Sequence, residues 1–340
     1  MISMNPWGER VRKLVMAVFI VASLSACGGV AKARAYEVPC KISSFAESGD
    51  GTLIWTACDA PAGGVSGYTI DLRNGQITKI GDGTQIFDIV AAPIGDKAVV
   101  VFVRQRAQDR AVLYEGTRAI ADLPIQPFAF LWSADGSKIY SDGGSAKNET
   151  DAWNIMTVLR ISDRTVTKMP LVKFTESMFV CPRSGDVFTG DPLPDDDGME
   201  YDANIQSPKP LKKILPGYFS ATCRYVATND SFHGPTPWDV FDVATGVKLM
   251  QFEFIGEEKE DEFEFESWNP QRDELLLRIL HAKAQSDAIS PDTLQVFDVR
   301  QRRVLAAFPN FTGPVEWSKD GKDLIFAKGS KLSFVQALKN

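Results

Sequence analysis

The chain has 340 residues, of which 44% are hydrophobic, 10% aromatic and 24% charged. That balance can fill a large core and excludes an intrinsically disordered chain. A formal net charge of −7 at pH 7 makes nucleic acid a poor partner, and 19 prolines with 26 glycines suit a turn-rich β protein.

The first element is a targeting segment. Arg10, Arg12 and Lys13 form a positive start, and the apolar run Leu14 to Leu24 is too short for a permanent membrane helix. The following "LSAC", Leu24 to Cys27, resembles a bacterial lipoprotein signal, in which the chain is cut before the cysteine and the thiol is lipidated. The resemblance implies a signal peptide over 1–26, lipidation at Cys27, and a tether over 27–35 opened by Gly28 and Gly29. An ordinary signal cut after Ala33 to Ala35 is the alternative. Gly28 after the cysteine implies sorting to the periplasmic face of the outer membrane, where two or more acyl chains anchor stably. Removal of 1–26 takes away Glu9 and three cations, leaving a mature charge of −9.

From residue 36 onward, period-2 alternation dominates and no long stretch has a helical period. "FLWSADGSKIYSDGG" (130–144) and "VEWSKDGKDLIFAKG" (315–329) read as strand, tight turn and strand. Weaker copies start at Ala46, Ala91, Phe179, Tyr218 and Ser267, and their turns recur about every 45 residues. A second hairpin follows the first, as in 68–80, 158–169, 239–250 and 294–305. Two hairpins per repeat predict four-stranded blades that bury their apolar faces only against one another. The expected fold is an all-β propeller over 36–340, with seven blades and six or eight as alternatives. The last copy is one strand short, and a strand near Ala35 to Pro39 is expected to complete it and remove an open edge. At the "WSxDG" hairpins the sequence resembles the TolB-type and WD40-like repeats of bacterial periplasmic proteins. That resemblance implies the fold and a monomeric propeller, and it does not carry over the Tol–Pal function.

Four cysteines remain after Cys27, and an even number in an oxidising compartment suggests pairing. Pairing outward from the first turn brings Cys40 and Cys58 within one residue of facing each other, so a small bulge makes a Cys40–Cys58 bond feasible. Cys181 and Cys223 occupy the same turn region in neighbouring repeats, which predicts a second bond across two blades. Buried thiols are the alternative.

Motif-borne chemistry is sparse. No nucleophile elbow, HExxH or P-loop pattern occurs, and the two histidines, His233 and His281, lie in polar loops. The acidic loop Gly190 to Asp202 contains Asp191, Asp195, Asp196, Asp197, Glu200 and Asp202. Its spacing fails the EF-hand pattern, so a solvated loop is expected, with Asp191, Asp195 and Asp197 as a weak calcium candidate. A second acidic run contains Glu257 and Glu258. The long inserts fall at connections that emerge on one face of a propeller. That face, with Asp195, Asp196, Asp197, Glu200, Glu257, Glu258, His233, Trp153 and Trp238, is the candidate binding surface. The expected function is a lipid-anchored, non-catalytic scaffold without cofactor that binds an envelope protein or peptide. One alternative is a hydrolase or lyase for a glycan or lactone, using two of Asp88, Glu264, Glu266 and Glu316. The other is an accessory or immunity-type lipoprotein of an envelope machine.

Overall fold

The computed structural model describes residues 34–59, 67–81, 85–103, 109–124, 130–142, 155–170, 177–190, 199–201, 209–210, 217–229, 237–252, 261–281 and 292–338. Their strands form seven four-stranded antiparallel sheets. Sheet 1 is Ile42–Glu47, Leu53–Cys58, Gly67–Asp71 and Ile77–Ile80, and sheet 2 is Gln85–Ala91, Lys97–Val103, Arg110–Glu115 and Arg118–Asp122. Sheet 3 is Phe130–Trp132, Lys138–Asp142, Ile155–Arg160 and Val166–Pro170, and sheet 4 is Ser177–Val180, Val187–Gly190, Met199–Tyr201 and Lys209–Pro210. Sheet 5 is Tyr218–Phe219, Tyr225–Asn229, Trp238–Asp242 and Val247–Phe252. Sheet 6 is Asp261–Trp268, Glu274–His281, Asp292–Asp298 and Arg303–Phe311. Sheet 7 is Val315–Trp317, Asp323–Lys328 and Lys331–Gln336, with Ala35–Glu37 as its fourth strand. That strand pairs through Ala35↔Ser333, Tyr36↔Leu332 and Glu37↔Lys331.

The repeated turn has a local cause. In sheet 3, Ser133 Oγ donates to Asp135 Oδ1 at 2.6 Å, and the same carboxylate oxygen accepts the Ser137 N–H at 3.0 Å. The Lys138 N–H returns to Ser133 Oγ at 2.9 Å. Sheet 7 repeats the pattern with Ser318, Asp320, Lys322 and Asp323, and sheet 1 with Ser48, Asp50, Thr52 and Leu53. These bonds hold the Asp135 carboxyl down at about 2, with the Ser133 hydroxyl the largest contributor. Gly136 and Gly321 have φ of 66° and 68°, a left-handed conformation that favours glycine. The "SxDG" pattern is thus a turn prescription.

Burial falls from the second strand outward. Leu53–Cys58 is buried at every position, whereas Val166–Pro170 is mostly exposed. Outer strands also carry Lys79, Arg118, Lys168, Lys248 and Arg303, charges that discourage edge-to-edge pairing.

Each apolar cluster joins two successive sheets. Trp55 and Val100 join sheets 1 and 2, and Val99 with Ile139 joins 2 and 3. Tyr140 with Val187 joins 3 and 4, Phe188 with Val226 joins 4 and 5, and Val240 with Leu275 joins 5 and 6. Leu276 with Trp317 joins 6 and 7, and Ile325 with Ile54 brings sheet 7 against sheet 1. The expectation of a propeller with four-stranded antiparallel blades is met.

Both expected disulfides are present. Cys40–Cys58 has a Cα separation of 5.8 Å, and a register shift between Ile42 and Ser44 supplies the bulge that the pairing needed. Cys181–Cys223, at 5.7 Å, ties sheets 4 and 5.

Two losses of stability follow. Leu275→Ala removes a fully buried side chain and is expected to cost about 2–5 kcal/mol in urea unfolding. The double variant Cys181→Ala/Cys223→Ala is expected to cost roughly 2–4 kcal/mol, read in the same way under oxidising conditions.

Candidate functional site: the axial cavity

The first strands of successive sheets approach one another, so they form the innermost layer and the turns after them gather at one end of the axis. A cavity of about 620 Å3 lies among these turns, and all seven sheets contribute to its wall. Gly49, Ile94, Leu131, Phe179 and Tyr218 come from sheets 1 to 5, Phe265 to Gln271 from sheet 6, and Lys319 from sheet 7.

Sheets 4 to 6 build an aromatic wall. Tyr218 stacks on Phe265 at 4.8 Å and meets Phe179 edge-on at 5.3 Å. Trp238 backs this group, 5.2 Å from Phe265, and the Trp268 indole donates to the Tyr218 carbonyl at 2.6 Å. Tyr218 is nevertheless 49% exposed, and Ile94 is 61% exposed. Large apolar side chains left open beside a cavity are a recurrent mark of a binding surface.

Sheets 6, 7, 1 and 2 bring acids. Aligning the turns places Glu47 in the slot that holds Trp132, Trp268 and Trp317 in other repeats. Glu47 is only 4% exposed, and its Oε2 accepts the Lys319 N–H at 2.6 Å. Burial pushes its carboxyl from 4.5 up to about 7, against the pull of that N–H and of the Lys319 charge. Glu316 is half-buried and is likewise pushed to about 7. Burial is the main cause; Lys319 opposes it, while Glu47, Asp88 and Glu266 add repulsion from three other sheets. Burial also raises Asp88, with the Ile89 N–H opposing. Glu316 therefore feels carboxylates from three other sheets, and of these four acids Glu266 lines the cavity. Glu266 is engaged by Arg278, which also donates to Asp292 at 3.1 Å and to the Gly313 carbonyl at 2.8 Å, and lies 5.3 Å over Phe311.

A bulge at Glu266 interrupts the innermost strand of sheet 6, since Phe265 pairs with Leu277 and Ser267 with Leu276. Bulges re-aim side chains and break ladder bonds. Elsewhere the slot tryptophan donates to the innermost strand of the preceding sheet, as Trp132 does to the Val90 carbonyl at 2.9 Å. For Trp317 the equivalent acceptor would be Ser267. Instead, among the described residues, the buried Trp317 Nε1 and Ser267 Oγ have no hydrogen-bond partner.

Of the residues singled out by sequence, Trp238 lies behind the aromatic wall at the start of a third strand. Glu200 falls on a strand of sheet 4. Asp191, Asp195, Asp196, Asp197, Glu257, Glu258, His233, Trp153 and Cys27 lie outside the described residues, as do the 1–26 segment and most of the long inserts. Among the described residues, no group of three or more His, Cys, Asp or Glu forms a metal site. Three of the acids named for the hydrolase alternative, Asp88, Glu266 and Glu316, do converge, whereas Glu264 is exposed. Sequence reasoning overlooked Glu47, Tyr218 and Lys319. The replacement of the motif tryptophan in "FAESGDG" was the available signal for Glu47.

No family model and no curated protein sequence matches the chain. Solved structures do match. The RRP9 WD40 repeats superpose with a TM-score of 0.59 at 10% identity, covering 91% of this chain and 98% of that one. A chain of Kuenenia stuttgartiensis hydrazine synthase gives 0.57 at 12%, covering 91% and 99%. A chain of the mitotic checkpoint complex gives 0.56 at 12%, covering 90% and 94%. The fold is that of a WD40-like β-propeller. Likeness at these identities is one of architecture.

The Glu47 carboxyl makes a signed prediction. Its folded value lies above its unfolded one, so its stabilising contribution is fully present below about 4.5 and is lost as pH rises through about 7. Glu47→Gln keeps an acceptor for the Lys319 N–H and removes the ionisation. The variant is expected to be more stable at pH 8 by about 1–3 kcal/mol, with a flatter pH dependence across that window, measured by denaturant unfolding.

Proposed function

We propose that this protein is a bacterial envelope lipoprotein related to the TolB-type propellers. In this reading residues 1–26 are removed, Cys27 carries the lipid, and 27–35 tether a ring of seven blades completed by the N-terminal strand. The ring reading is supported by the seven sheets and by the pairing of Ala35–Glu37 with Lys331–Gln336. The protein acts as a non-catalytic scaffold that docks another envelope protein or a peptide, and the membrane attachment keeps the two together. The observation that carries the docking role is the axial cavity, whose mouth leaves Tyr218 and Ile94 open to solvent. Rigid scaffolds commonly present partners with loops and turns of this kind.

A second reading, hydrolysis or elimination on a glycan or lactone, draws on Glu47 and Glu316, whose raised carboxyls suit proton transfer near neutral pH. Glu47 is already held by the Lys319 N–H, which favours the scaffold.

Two measurements test the reading. Metabolic labelling with palmitate is expected to mark the wild-type chain and to be lost in Cys27→Ser, which moves to the soluble periplasmic fraction; unchanged labelling overturns the anchor. A photo-crosslinking amino acid at Ile94 or Tyr218 is expected to capture one discrete envelope protein in cells, and the same group at outer-strand Lys168 is not. Equal capture from both places overturns the docking role of the cavity.

A further inference from the structure

Cys223 sits where sister repeats carry glycine. The N–H groups of Gly51, Gly136 and Gly321 return to the carbonyls of Ser48, Ser133 and Ser318 at 2.9, 2.9 and 2.8 Å, with φ of 68°, 66° and 68°. The Cys223 N–H returns to the Ser220 carbonyl at 2.8 Å in the same way, and its φ is 58°. A residue with a β-carbon resists that conformation and holds it only where its surroundings impose it. The second specifying residue of the turn is replaced too. Thr222 stands where sheets 1, 3 and 7 place Asp50, Asp135 and Asp320, whose carboxylates accept the N–H two residues on at 3.0, 3.0 and 3.1 Å. Here that N–H reaches the Thr222 hydroxyl at 3.4 Å, and the hydroxyl itself donates to Asp273 at 2.6 Å. The bond to Cys181 supplies what the sequence of this turn lacks.

That bond also joins two stretches of the cavity wall. Phe179, Val180 and Pro182 flank Cys181, and Tyr218, Phe219 and Ala221 shortly precede Cys223; all six line the cavity. Phe179 and Tyr218, which meet edge-on, belong to the two sheets that the bond ties. Sheet 4 contributes little else, since its described third and fourth strands span three and two residues. Neither Cys40 nor Cys58 adjoins a wall residue in sequence.

We propose that Cys181–Cys223 is a reducible clamp on the docking cavity, opened by a dithiol reductant. A thiolate of the reductant attacks the sulfur of Cys223, which is partly buried, whereas Cys181 is 1% exposed. The S–S bond breaks, a mixed disulfide forms at Cys223, and Cys181 leaves as a thiolate that takes up a proton. The second thiol then attacks the reductant's own sulfur in the mixed disulfide and releases the Cys223 thiol. The protein gains two electrons and two protons, and the reductant becomes a disulfide. The 220–225 turn, left with a β-carbon in a glycine position, abandons its left-handed conformation, and Phe179 parts from Tyr218. Loss of docking on reduction rests on the scaffold reading; the clamp itself does not.

The test compares the oxidised mature chain with the same chain in dithiothreitol, by hydrogen exchange read on fragments. Reduction is expected to speed exchange about tenfold or more in 177–190 and 217–229 and to leave 97–103 unaltered. Two variants separate a missing bond from a misplaced β-carbon. Cys181→Ser/Cys223→Gly gives this pair the residues of Ser133 and Gly136, and is expected to stay within about threefold of the oxidised protein. Cys181→Ser/Cys223→Ala is expected to exchange as fast as the reduced chain. Unchanged exchange on reduction, or equal exchange in the two variants, overturns the clamp. The wild-type comparison needs no variant, so it decides even if one fails to fold. A photo-crosslinker at Ile94 is expected to capture its partner about fivefold less in the alanine variant and undiminished in the glycine variant; equal capture overturns the control of docking. No capture in the wild type defeats the scaffold reading, and exchange still decides the clamp.

Discussion

Burial of apolar surface between successive sheets is the constraint on which the rest depends. A lone four-stranded sheet with strands such as "LIWTAC" or "KAVVVFV" leaves both greasy faces in water, and only a neighbour on each side hides them. Each apolar cluster accordingly spans two sheets, and sheet 7 packs back on sheet 1 through Ile325, Ile42 and Ile54. The turns, the outer strands and the disulfides refine this arrangement. Cys181–Cys223, for example, reinforces a contact that Phe188 and Val226 already make.

The same arrangement creates the site. Sheets that pack face to face put their first strands around an axis, and residues there meet partners from other repeats. Most repeats fill the shared slot with an apolar group: Trp132, Val180, Phe219, Trp268 and Trp317. Glu47 breaks the pattern at the junction of sheets 1 and 7. A buried carboxylate there opposes stability at neutral pH, as its raised carboxyl indicates. Glu316 adds repulsion, so sheets 1 and 7 meet with two raised carboxyls at this junction.

The architecture was legible in the sequence because the turn chemistry is local. Ser133, Asp135 and Gly136 specify one hairpin with no help from the remainder of the chain, and their repetition at a fixed period announces blades. Register was legible to within one residue, as Cys40 and Cys58 illustrate, since only the bulge near Ile42 was unknown. The axial site was harder to read. Glu47, Asp88, Glu266 and Glu316 lie far apart in sequence, and nothing local records that they share an axis. The bulge at Glu266 alters which way the strand presents its residues, so alternation alone misassigns Ser267.

The pairing of Ala35–Glu37 with Lys331–Gln336 also bears on how the molecule is made. Sheet 7 pairs a strand that precedes sheet 1 with one that follows sheet 6, so its outermost ladder spans a long sequence separation. Such distant pairing carries a high contact order and forms slowly. A nascent polypeptide can stack sheets 1 to 6 as they emerge, yet Glu47 waits for its partner until Lys319, in sheet 7, is available. The surroundings of the Glu47 carboxyl are therefore completed late, when sheet 7 docks.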